Sequence, residues 1–358
     1  MRSKNLYMRI RHAQKRPHDA WRRFFRRSVL RLLNVDFSKQ TEIQYVELGL
    51  YDSAIISKYA VTPAKEIKFQ TGSSIFVHNF DSKFVIEISN VLVNTETNHI
   101  YVSEKSKNSY KFLKESSSWP TEQVLFNSER PKYKSIKRIR RASLGLPNSG
   151  FYHWLSEDLS DFLIYQKELP VLNYKNSNIA NQEVMEVLEK TTIQCDKWVI
   201  VEELTFVTKG QDLGYIHPVG AQFLKKFASS NVPNKQSRNE KIYVSRSKSR
   251  RSIPSENAIE NYLLGRGFRI VHAEGLSFFD QVEIFSSAKL VVGIHGAGLS
   301  HALWPENCNL IELMPINRVN RCFEWQTLIC EGEYQLIYFN PDLPAETTLI
   351  PQLGLLNL

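Results

Sequence analysis

The residues best suited to chemistry in this 358-residue sequence form a glycine-rich turn that contains a histidine. The turn reads Gly293-Ile294-His295-Gly296-Ala297-Gly298-Leu299-Ser300. It follows a segment predicted to be a buried strand, Leu290–Ile294, and leads into a helix predicted to begin at about residue 299. Glycines let a ligand approach the backbone, and a helix N-terminus offers unpaired N–H groups to phosphate. We therefore predict that His295, Gly296, Ala297, Gly298, Leu299 and Ser300 bind a phosphate group.

The spacing of the glycines argues against one common function. Gly293, Gly296 and Gly298 do not form the G-x-G-x-x-G fingerprint of dinucleotide-binding folds. A nicotinamide-dependent dehydrogenase is therefore disfavoured, and we expect no bound cofactor.

Charged residues at two other predicted strands complete this candidate site. Arg246 ends the strand predicted at 242–244, and Arg251 follows in the next loop. Both can neutralise a diphosphate, although runs of charge are most often only solvated. Glu312 lies within the apolar strand predicted at 310–314, where a carboxylate needs a partner. Either a ribose diol is that partner, or Glu312 makes an internal hydrogen bond to the backbone or to an arginine.

A second set of residues suits acid–base chemistry. Residues 150–169 have helical periodicity, and His153 and Glu157 are four residues apart, which places them on one side of that helix. Either side chain can serve as the general base that deprotonates an acceptor hydroxyl. Asp158 and Asp161, on the same segment, are lower-ranked candidates. The alternative is that His153 is a hydrogen-bonded structural histidine beside Trp154.

The elements that position the glycine-rich turn alternate between strand and helix. Strands are predicted at 242–244, 268–271, 290–294, 310–314 and 335–339, with helices at 255–264, 277–287, from 299, and at 321–330. Repeated β-α-β units predict a parallel, doubly wound sheet. Ligands bind such sheets beyond the carboxyl ends of the strands, which is where the turn lies.

The chain is long enough for two α/β domains that face a cleft. We predict a strand-rich acceptor-side domain at 41–230, a Rossmann-like donor-binding domain at 238–340 and a C-terminal tail at 341–358. A polar linker is predicted at 229–237. Within the first domain, strands at 84–88 and 90–93 turn at 95–98 and return at 99–102, and the Asn-rich segment 173–182 is predicted to be a loop.

The net charge of +9 is concentrated at the N-terminus. Residues 1–31 contain eleven Lys and Arg and one acid, which leaves 35 basic and 36 acidic residues in the rest of the chain. The stripe Trp21, Phe24, Phe25, Ser28 and Leu32 is flanked by arginines. This pattern predicts that 1–40 is a basic amphipathic arm whose residues 1–33 lie on an anionic membrane surface. A helix packed on its own domain and a nucleic-acid arm are the alternatives, of which the second is disfavoured.

The sequence has no signal-peptide pattern and no apolar run long enough to span a bilayer, so a cytoplasmic, peripheral inner-membrane location is expected. The four cysteines include no C-x-x-C pair and are predicted to be reduced core residues. No D-x-D motif is present, so we expect no essential metal.

Several stretches of the sequence resemble glycosyltransferase family 61. The resemblance covers about residues 84–315. The stretches that carry it are Phe151-Tyr152-His153-Trp154-Leu155, Lys241-Ile242-Tyr243-Val244-Ser245-Arg246, Gly265 to Phe268, Leu276-Ser277-Phe278 with Gln281, and Val292 to Leu299 on to Ile311-Glu312-Leu313. The His-Gly-Ala-Gly-Leu stretch is the most specific of them.

The resemblance implies a GT-B-like fold, an inverting mechanism, a nucleotide-sugar donor and a glycan acceptor. It assigns donor phosphate to Arg246 and to residues 295–298, and ribose to Glu312. Family members usually carry an acid four residues after the histidine of the Tyr-His-Trp segment, which here is Glu157. Bacterial members often have Pro-Arg shortly after it, whereas this chain has Ser160-Asp161.

The sequence thus predicts a bacterial capsule or lipopolysaccharide glycosyltransferase. Two other function classes stay open. One is a nucleotide-cofactor oxidoreductase or epimerase on a similar sheet, and the other is a non-catalytic membrane-associated scaffold of a polysaccharide assembly complex.

Overall fold

The computed structural model describes residues 55–62, 65–71, 74–80, 83–104, 109–113, 136–165, 168–209, 214–232, 240–249, 252–318, 320–356 and 358. The basic arm at 1–40 and Arg251 lie outside the described residues, so the predictions made for them stay predictions.

The first half of the described chain builds a mixed sheet and a separate hairpin. In chain order its strands are β1 (Ile55–Thr62), β2 (Lys65–Thr71), β3 (Ser74–Phe80), β4 (Lys83–Asn94), β5 (His99–Glu104), β6 (Ser109–Phe112), β7 (Lys137–Ser143), β8 (Val171–Tyr174), β9 (Thr192–Cys195) and β10 (Trp198–Val207). The sheet order is β6-β5-β4-β10-β7-β8-β9, with β1 also paired to β4, while β2 pairs with β3. β10 is antiparallel to β4 and parallel to β7.

The predicted strand, turn and returning strand are confirmed with one refinement. The segments predicted at 84–88 and 90–93 form the single strand β4, and Asn90 between them has a positive φ of 53°. β1 pairs with β4 before this point and β5 pairs with it after this point. The irregular residue therefore marks where one edge of β4 changes partner.

Helices from this half share a buried core with the second sheet. They are α1 (Phe151–His153), a π-helical turn (Trp154–Leu159), α2 (Ser160–Ile164), α3 (Ile179–Val187) and α4 (Pro218–Asn231). The first three are continuous and place Leu155, Leu159 and Leu163 in the core. The predicted helix over 150–169 is thus confirmed, but it ends at Ile164.

The second half is the predicted parallel sheet. Its strands are β11 (Glu240–Val244), β12 (Arg269–Val271), β13 (Ala288–Ile294), β14 (Asn309–Pro315) and β15 (Tyr334–Phe339), in the order β12-β11-β13-β14-β15. The connecting helices are α5 (Glu256–Leu264), α6 (Phe278–Ser286), a 3₁₀ helix (Ala297–Leu303) and α7 (Cys322–Ile329). Ser277 caps α6 by accepting from the N–H of Asp280.

One hydrophobic core joins the two halves. Trp154, Leu224 and Val244 belong to the same buried cluster, and the Trp154 and Phe278 rings meet edge to face at 5.2 Å. The helices of the first half therefore pack directly on the second sheet. The division into domains at 41–230 and 238–340 remains a prediction.

Two boundary predictions are wrong, and the range of a third contains helices. The segment 173–182 contains the end of β8 and the start of α3, with Asn178 as the cap of that helix. Residues 229–231 of the predicted linker belong to α4. The predicted tail contains α8 (Ala345–Thr348) and α9 (Ile350–Gly354), which pack into the core of the second sheet.

Candidate functional site

The candidate donor site lies where β11, β13 and β14 end. Because these strands are parallel neighbours, the residues that follow them meet at one edge of the sheet. Arg246 follows β11, His295 and Gly296 follow β13, and Arg318 follows β14. The structure thus brings together the predicted Arg246 and His295, and adds Arg318, which our reading of the sequence did not select.

The glycines let the glycine turn (residues 293–300) fold back onto β11. A Cβ at Gly298 would lie 2.7 Å from Cγ1 of Val244, and one at Gly293 would lie 2.8 Å from Cδ2 of Leu299. Both distances are shorter than van der Waals contact. The glycines are therefore needed for packing as well as for ligand access.

The glycine turn presents three successive backbone N–H groups without a hydrogen-bond partner among the described residues. They belong to Gly296, Ala297 and Gly298; the next amide, of Leu299, donates to the carbonyl oxygen of Gly296 at 3.0 Å. Ala297 and Gly298 are half-buried, and Gly296 is buried. Consecutive unpaired N–H groups in a turn form a concave anion-binding surface.

His295 is held by contacts on several sides. Its Nδ1 lies 2.5 Å from Oε1 of Glu312, and its backbone N–H donates to the carbonyl of Leu313 at 2.9 Å. The ring meets Phe323 edge to face at a centroid distance of 5.4 Å. The side chain is 11% exposed, and among the described residues no group bonds to Nε2. Nε2 is therefore the nitrogen available to a ligand.

Glu312 is fully buried, and its second oxygen is also bonded. Tyr334 donates its hydroxyl to Oε2 at 2.6 Å. The predicted ribose contact disagrees with this geometry, because both carboxylate oxygens face protein groups. The alternative stated above, an internal hydrogen bond, is the arrangement observed, although the partners are a histidine and a tyrosine. We call His295, Glu312 and Tyr334 the His295 array.

Arg246 lies over the glycine turn. Its Nη1 donates to the carbonyl of His295 at 2.5 Å, and a Cβ on Gly296 would lie 3.1 Å from that nitrogen. Its backbone N–H donates to buried Glu256 at 2.9 Å. Burial lowers the pKa of Arg246, and the positive charge of Arg318 acts in the same direction. The guanidinium groups of Arg246 and Arg318 are thus close enough to repel each other, beside the unpaired amides of the glycine turn.

Two predicted ligand residues face the protein interior instead. Leu299 is fully buried against Gly293, and the Ser300 hydroxyl donates to the carbonyl of Ala297 at 2.5 Å. The predicted helix from residue 299 is a 3₁₀ helix that begins at Ala297. Since i+3 bonding turns the chain more tightly, these side chains point into the core.

The second candidate cluster forms as predicted. His153 Nδ1 lies 2.6 Å from Oε1 of Glu157, which also accepts the N–H of Gly214 at 3.0 Å. The His153 side chain is 41% exposed, whereas that of Glu157 is 13% exposed. Tyr152 donates to the carbonyl of Gly214 at 2.6 Å. Gly214 therefore makes two hydrogen bonds to this cluster, one through its N–H and one through its carbonyl.

The electrostatics of the pair favour an imidazole activated by a carboxylate. The hydrogen bond to Glu157 raises the pKa of His153, and its charge adds to the effect. Burial acts to raise the pKa of Glu157, but the bonds from His153 and Gly214 and the charge of Lys209 lower it overall. Glu157 is therefore the carboxylate that orients His153, and His153 is the more exposed and more basic group.

Asp161 does not share this environment. It is buried and pairs with Lys83, while Lys209 lies 3.4 Å from its other oxygen and bonds to Asp158 at 2.5 Å. Three of these charged groups, Asp158, Asp161 and Lys209, line a cavity of about 50 Å³, which suits a few water molecules rather than a sugar ring. Asp161 is thus part of an internal ion-pair network.

The two candidate clusters are linked by ring contacts. Tyr152 meets Phe323 edge to face at 5.0 Å, and Phe323 in turn meets His295. Tyr152 precedes His153 in the chain. The candidate base and the candidate donor site therefore lie on either side of one aromatic contact.

Three further observations concern cysteines, metals and membranes. All four cysteines are free and buried, as predicted. Among the described residues no group of three or more His, Cys, Asp or Glu side chains could hold a metal ion. In the same part of the chain, every helix is too short or too polar to cross a bilayer.

Comparison with known families identifies the class of protein. Residues 151–316, which include His153, Glu157, Arg246 and the glycine turn, match the family model described as Glycosyltransferase 61. The protein is therefore a glycosyltransferase. This match confirms the resemblance to glycosyltransferase family 61 found in the sequence.

Solved structures give weaker matches. Dodecameric iron-containing heptosyltransferase TibC in complex with ADP-D-β-D-heptose aligns at 8% identity and a TM-score of 0.29, over 78% of this chain and 85% of that chain. TibC from enterotoxigenic E. coli H10407 aligns over the same shares at 9% identity and a TM-score of 0.29. Likenesses this low carry no argument about fold or substrate. No curated protein matches the chain.

Proposed function

We propose that this protein is an inverting glycosyltransferase that moves a sugar from a nucleotide-sugar donor to a glycan hydroxyl in bacterial capsule or lipopolysaccharide biosynthesis. The observation that carries the proposal is the edge where three unpaired amides of the glycine turn lie beside Arg246 and Arg318. Such an edge suits a diphosphate, the group through which common sugar donors carry their nucleotide.

The donor diphosphate binds to the amides of residues 296–298. Arg246 and Arg318 neutralise its charge, and Nε2 of His295 contacts one phosphate oxygen. As the sugar leaves, negative charge grows on the diphosphate, and prearranged donors stabilise that charge more than they stabilise the bound substrate.

The acceptor is activated by His153. The acceptor hydroxyl transfers its proton to the imidazole while its oxygen attacks the anomeric carbon from the face opposite the diphosphate. The bond between that carbon and the diphosphate oxygen breaks, and its electron pair stays on the diphosphate. Glu157 keeps His153 oriented and stabilises the imidazolium that forms, as carboxylates do in other His-carboxylate pairs.

We assign the fold to the GT-B type and the reaction to a metal-independent class. Arginine and backbone amides supply the charge stabilisation that a metal ion provides in other enzymes. We expect donor turnover to persist in excess EDTA. Activity that EDTA abolishes and Mn²⁺ restores would contradict the metal-independent assignment.

Nucleotide binding is the direct test of the donor site. Thermal shifts with UDP, GDP, ADP, CMP and their sugar conjugates should reveal stabilisation by at least one nucleotide, because a ligand of the folded state raises Tm. Arg246→Gln and Arg318→Gln should each weaken that nucleotide about tenfold.

Arg269→Gln is the matched control, because Arg269 lies at the start of β12 and pairs with Glu240 at 3.2 Å. It should leave the affinity unchanged. If no nucleotide shifts Tm, or if all three variants behave alike, the donor site is misassigned.

The pH profile tests the base. Because the pKa of His153 is raised, the acid limb of kcat/KM should lie above pH 6.5, the ordinary value for histidine. Glu157→Gln should move this limb to lower pH, since the carboxylate no longer favours the imidazolium, and His153→Ala should lower kcat by about 10²–10⁴. Near-normal turnover in both variants would exclude the pair from catalysis.

A further inference from the structure

The His295 array has the hydrogen-bond pattern of a relay that prepares one nitrogen for a ligand. Glu312 is completely buried, and its two oxygens are shared between Nδ1 of His295 and the hydroxyl of Tyr334. Both oxygens of this buried carboxylate thus lie within hydrogen-bond distance of groups that can donate to an ionised carboxylate.

The direction of each hydrogen bond follows from this arrangement. Burial and the adjacent Glu312 carboxylate raise the pKa of Tyr334 above its ordinary value, so the phenol keeps its proton and donates it. An anionic Glu312 can only accept, so Nδ1 of His295 carries a proton. The remaining nitrogen, Nε2, then has a lone pair when the ring is neutral.

We propose that Glu312 and Tyr334 are positioning residues that hold His295 with Nδ1 protonated, so that Nε2 takes up a proton when the donor diphosphate binds and donates it in a hydrogen bond to a phosphate oxygen. This inference rests on the proposed function, because the diphosphate is the ligand that supplies the negative charge. It replaces the ribose contact predicted for Glu312.

The groups around the His295 array fix the direction from which the diphosphate reaches His295. Arg246 holds the carbonyl of His295, Phe323 covers one side of the ring, and Gly296–Gly298 follow directly in the chain. The charged and titratable groups packed around the array are Glu312, Tyr334, Arg246, Tyr152, Arg321, Cys322 and Glu324. Burial raises the pKa of Cys322 to about 12, so it stays a neutral thiol, and Arg321 pairs with Glu324. Among the groups packed around the array, Arg246 is thus the cation that shares the diphosphate with His295, while Arg318 contacts the diphosphate from the end of β14.

Nitrogen-15 NMR of histidine-labelled full-length protein tests the array without any ligand. The ring-nitrogen resonances of His295 are identified as those that disappear in the His295→Gln variant. The wild type should show the neutral ring with its proton on Nδ1, and Glu312→Gln should populate the form with the proton on Nε2. A wild-type ring that carries its neutral proton on Nε2 would overturn the proposal.

Calorimetry provides the second measurement. UDP, GDP, ADP and inorganic pyrophosphate are titrated in two buffers that differ in ionisation enthalpy, which counts the protons taken up on binding. The wild type should take up a proton that His295→Gln and Glu312→Gln do not. Glu312→Gln should weaken the tightest of these ligands about 10- to 100-fold, and Tyr334→Phe about threefold to tenfold, as expected for hydrogen bonds to a charged group.

Tyr338→Phe is the matched control, because Tyr338 lies on the same strand and is 47% exposed. It should leave proton uptake and affinity unchanged. Tyr334→Phe keeps the test valid if Glu312→Gln fails to fold. Variants that retain wild-type affinity and proton uptake while only lowering Tm would show a purely structural role. If none of the four ligands binds the wild type, the proposed function fails, and the NMR measurement still decides the protonation of His295.

Discussion

At the scale of single residues, Gly296 is the point where the backbone and Arg246 meet. A methyl group there would lie 3.1–3.4 Å from three atoms of the guanidinium group, which is tighter than ordinary contact. The backbone of Gly296 is extended, with φ of 172° and ψ of 167°, so alanine can adopt it without strain. The effect of a substitution should therefore fall on Arg246 and not on the fold.

We accordingly predict that Gly296→Ala weakens nucleotide affinity about tenfold while Tm of the free protein changes little, because Arg246 must move away from the carbonyl of His295. Gly265→Ala is the control, since a Cβ there meets only ordinary contacts at 3.6 Å. Unaltered affinity in Gly296→Ala, measured by calorimetry, would mean that Arg246 does not need its present position.

At the scale of elements, α3 shows how an asparagine-rich segment becomes structured. Asn181 is buried, donates to the carbonyl oxygens of Leu146 and Pro147 at 3.0 and 3.3 Å, and accepts the indole N–H of Trp154. One side chain thereby ties α3 to the segment that leads into α1 and to the π-helical turn. The asparagine-rich composition of 173–182 predicted a loop. In the structure the asparagines cap a helix and make buried hydrogen bonds.

Asn181→Ala should lower the free energy of unfolding by about 2–4 kcal/mol, because it leaves buried donors and acceptors without partners. The exposed Asn176→Ala should change it by less than about 0.5 kcal/mol. Urea denaturation of both variants makes the comparison, and equal stability would show that the Asn181 bonds contribute nothing net. Since α1 carries His153, Asn181→Ala should also reduce turnover.

At the scale of the whole molecule, His301 should make stability depend on pH. Its Nδ1 accepts the indole N–H of buried Trp304 at 2.9 Å, and its Nε2 lies 2.7 Å from Oε1 of Gln281. Burial lowers the pKa of His301 to about 3, so the folded protein excludes a proton that the unfolded chain binds below about pH 6.5. This contribution is fully present above pH 6.5 and is lost as the pH falls towards 3.

Between pH 6 and pH 4 the free energy of unfolding should therefore fall by about 1 kcal/mol per pH unit because of this residue. His301→Gln cannot take up the proton and should show a shallower dependence, even though it is less stable at pH 7. The measurement is urea denaturation of both proteins at several pH values. Parallel pH profiles would remove His301 as the cause.

The basic arm belongs to the same scale, because it concerns where the enzyme is located. We propose that residues 1–33 hold the protein on an anionic membrane surface where lipid-linked glycans are built. Deletion of these residues should abolish sedimentation with phosphatidylglycerol vesicles and preserve activity on a soluble acceptor. Vesicle binding that survives the deletion would refute the anchor.

Much of the architecture could be predicted from the sequence because it depends on local patterns. The alternation of short apolar strands and capped helices predicted the parallel sheet, and the i,i+4 spacing of His153 and Glu157 predicted that they share one side of a helix. The glycine turn was predicted at the end of a buried strand because that position follows from the order of elements. Contacts within one helix or one strand-to-helix turn are set by nearby residues, so spacing is enough to find them.

Other features were decided only by the tertiary structure, since they depend on which strands become neighbours. Glu312 bonds to His295 and Tyr334 because β14 lies between β13 and β15, and Arg318 joins Arg246 because β13 alone separates β11 from β14. The 3₁₀ geometry that turns Leu299 and Ser300 inward depends on packing against Gly293 and Val244. The sequence by itself determined the class of chemistry through its motifs. The fold determined which groups face the ligand, because burial and hydrogen-bond partners come from residues distant in the chain.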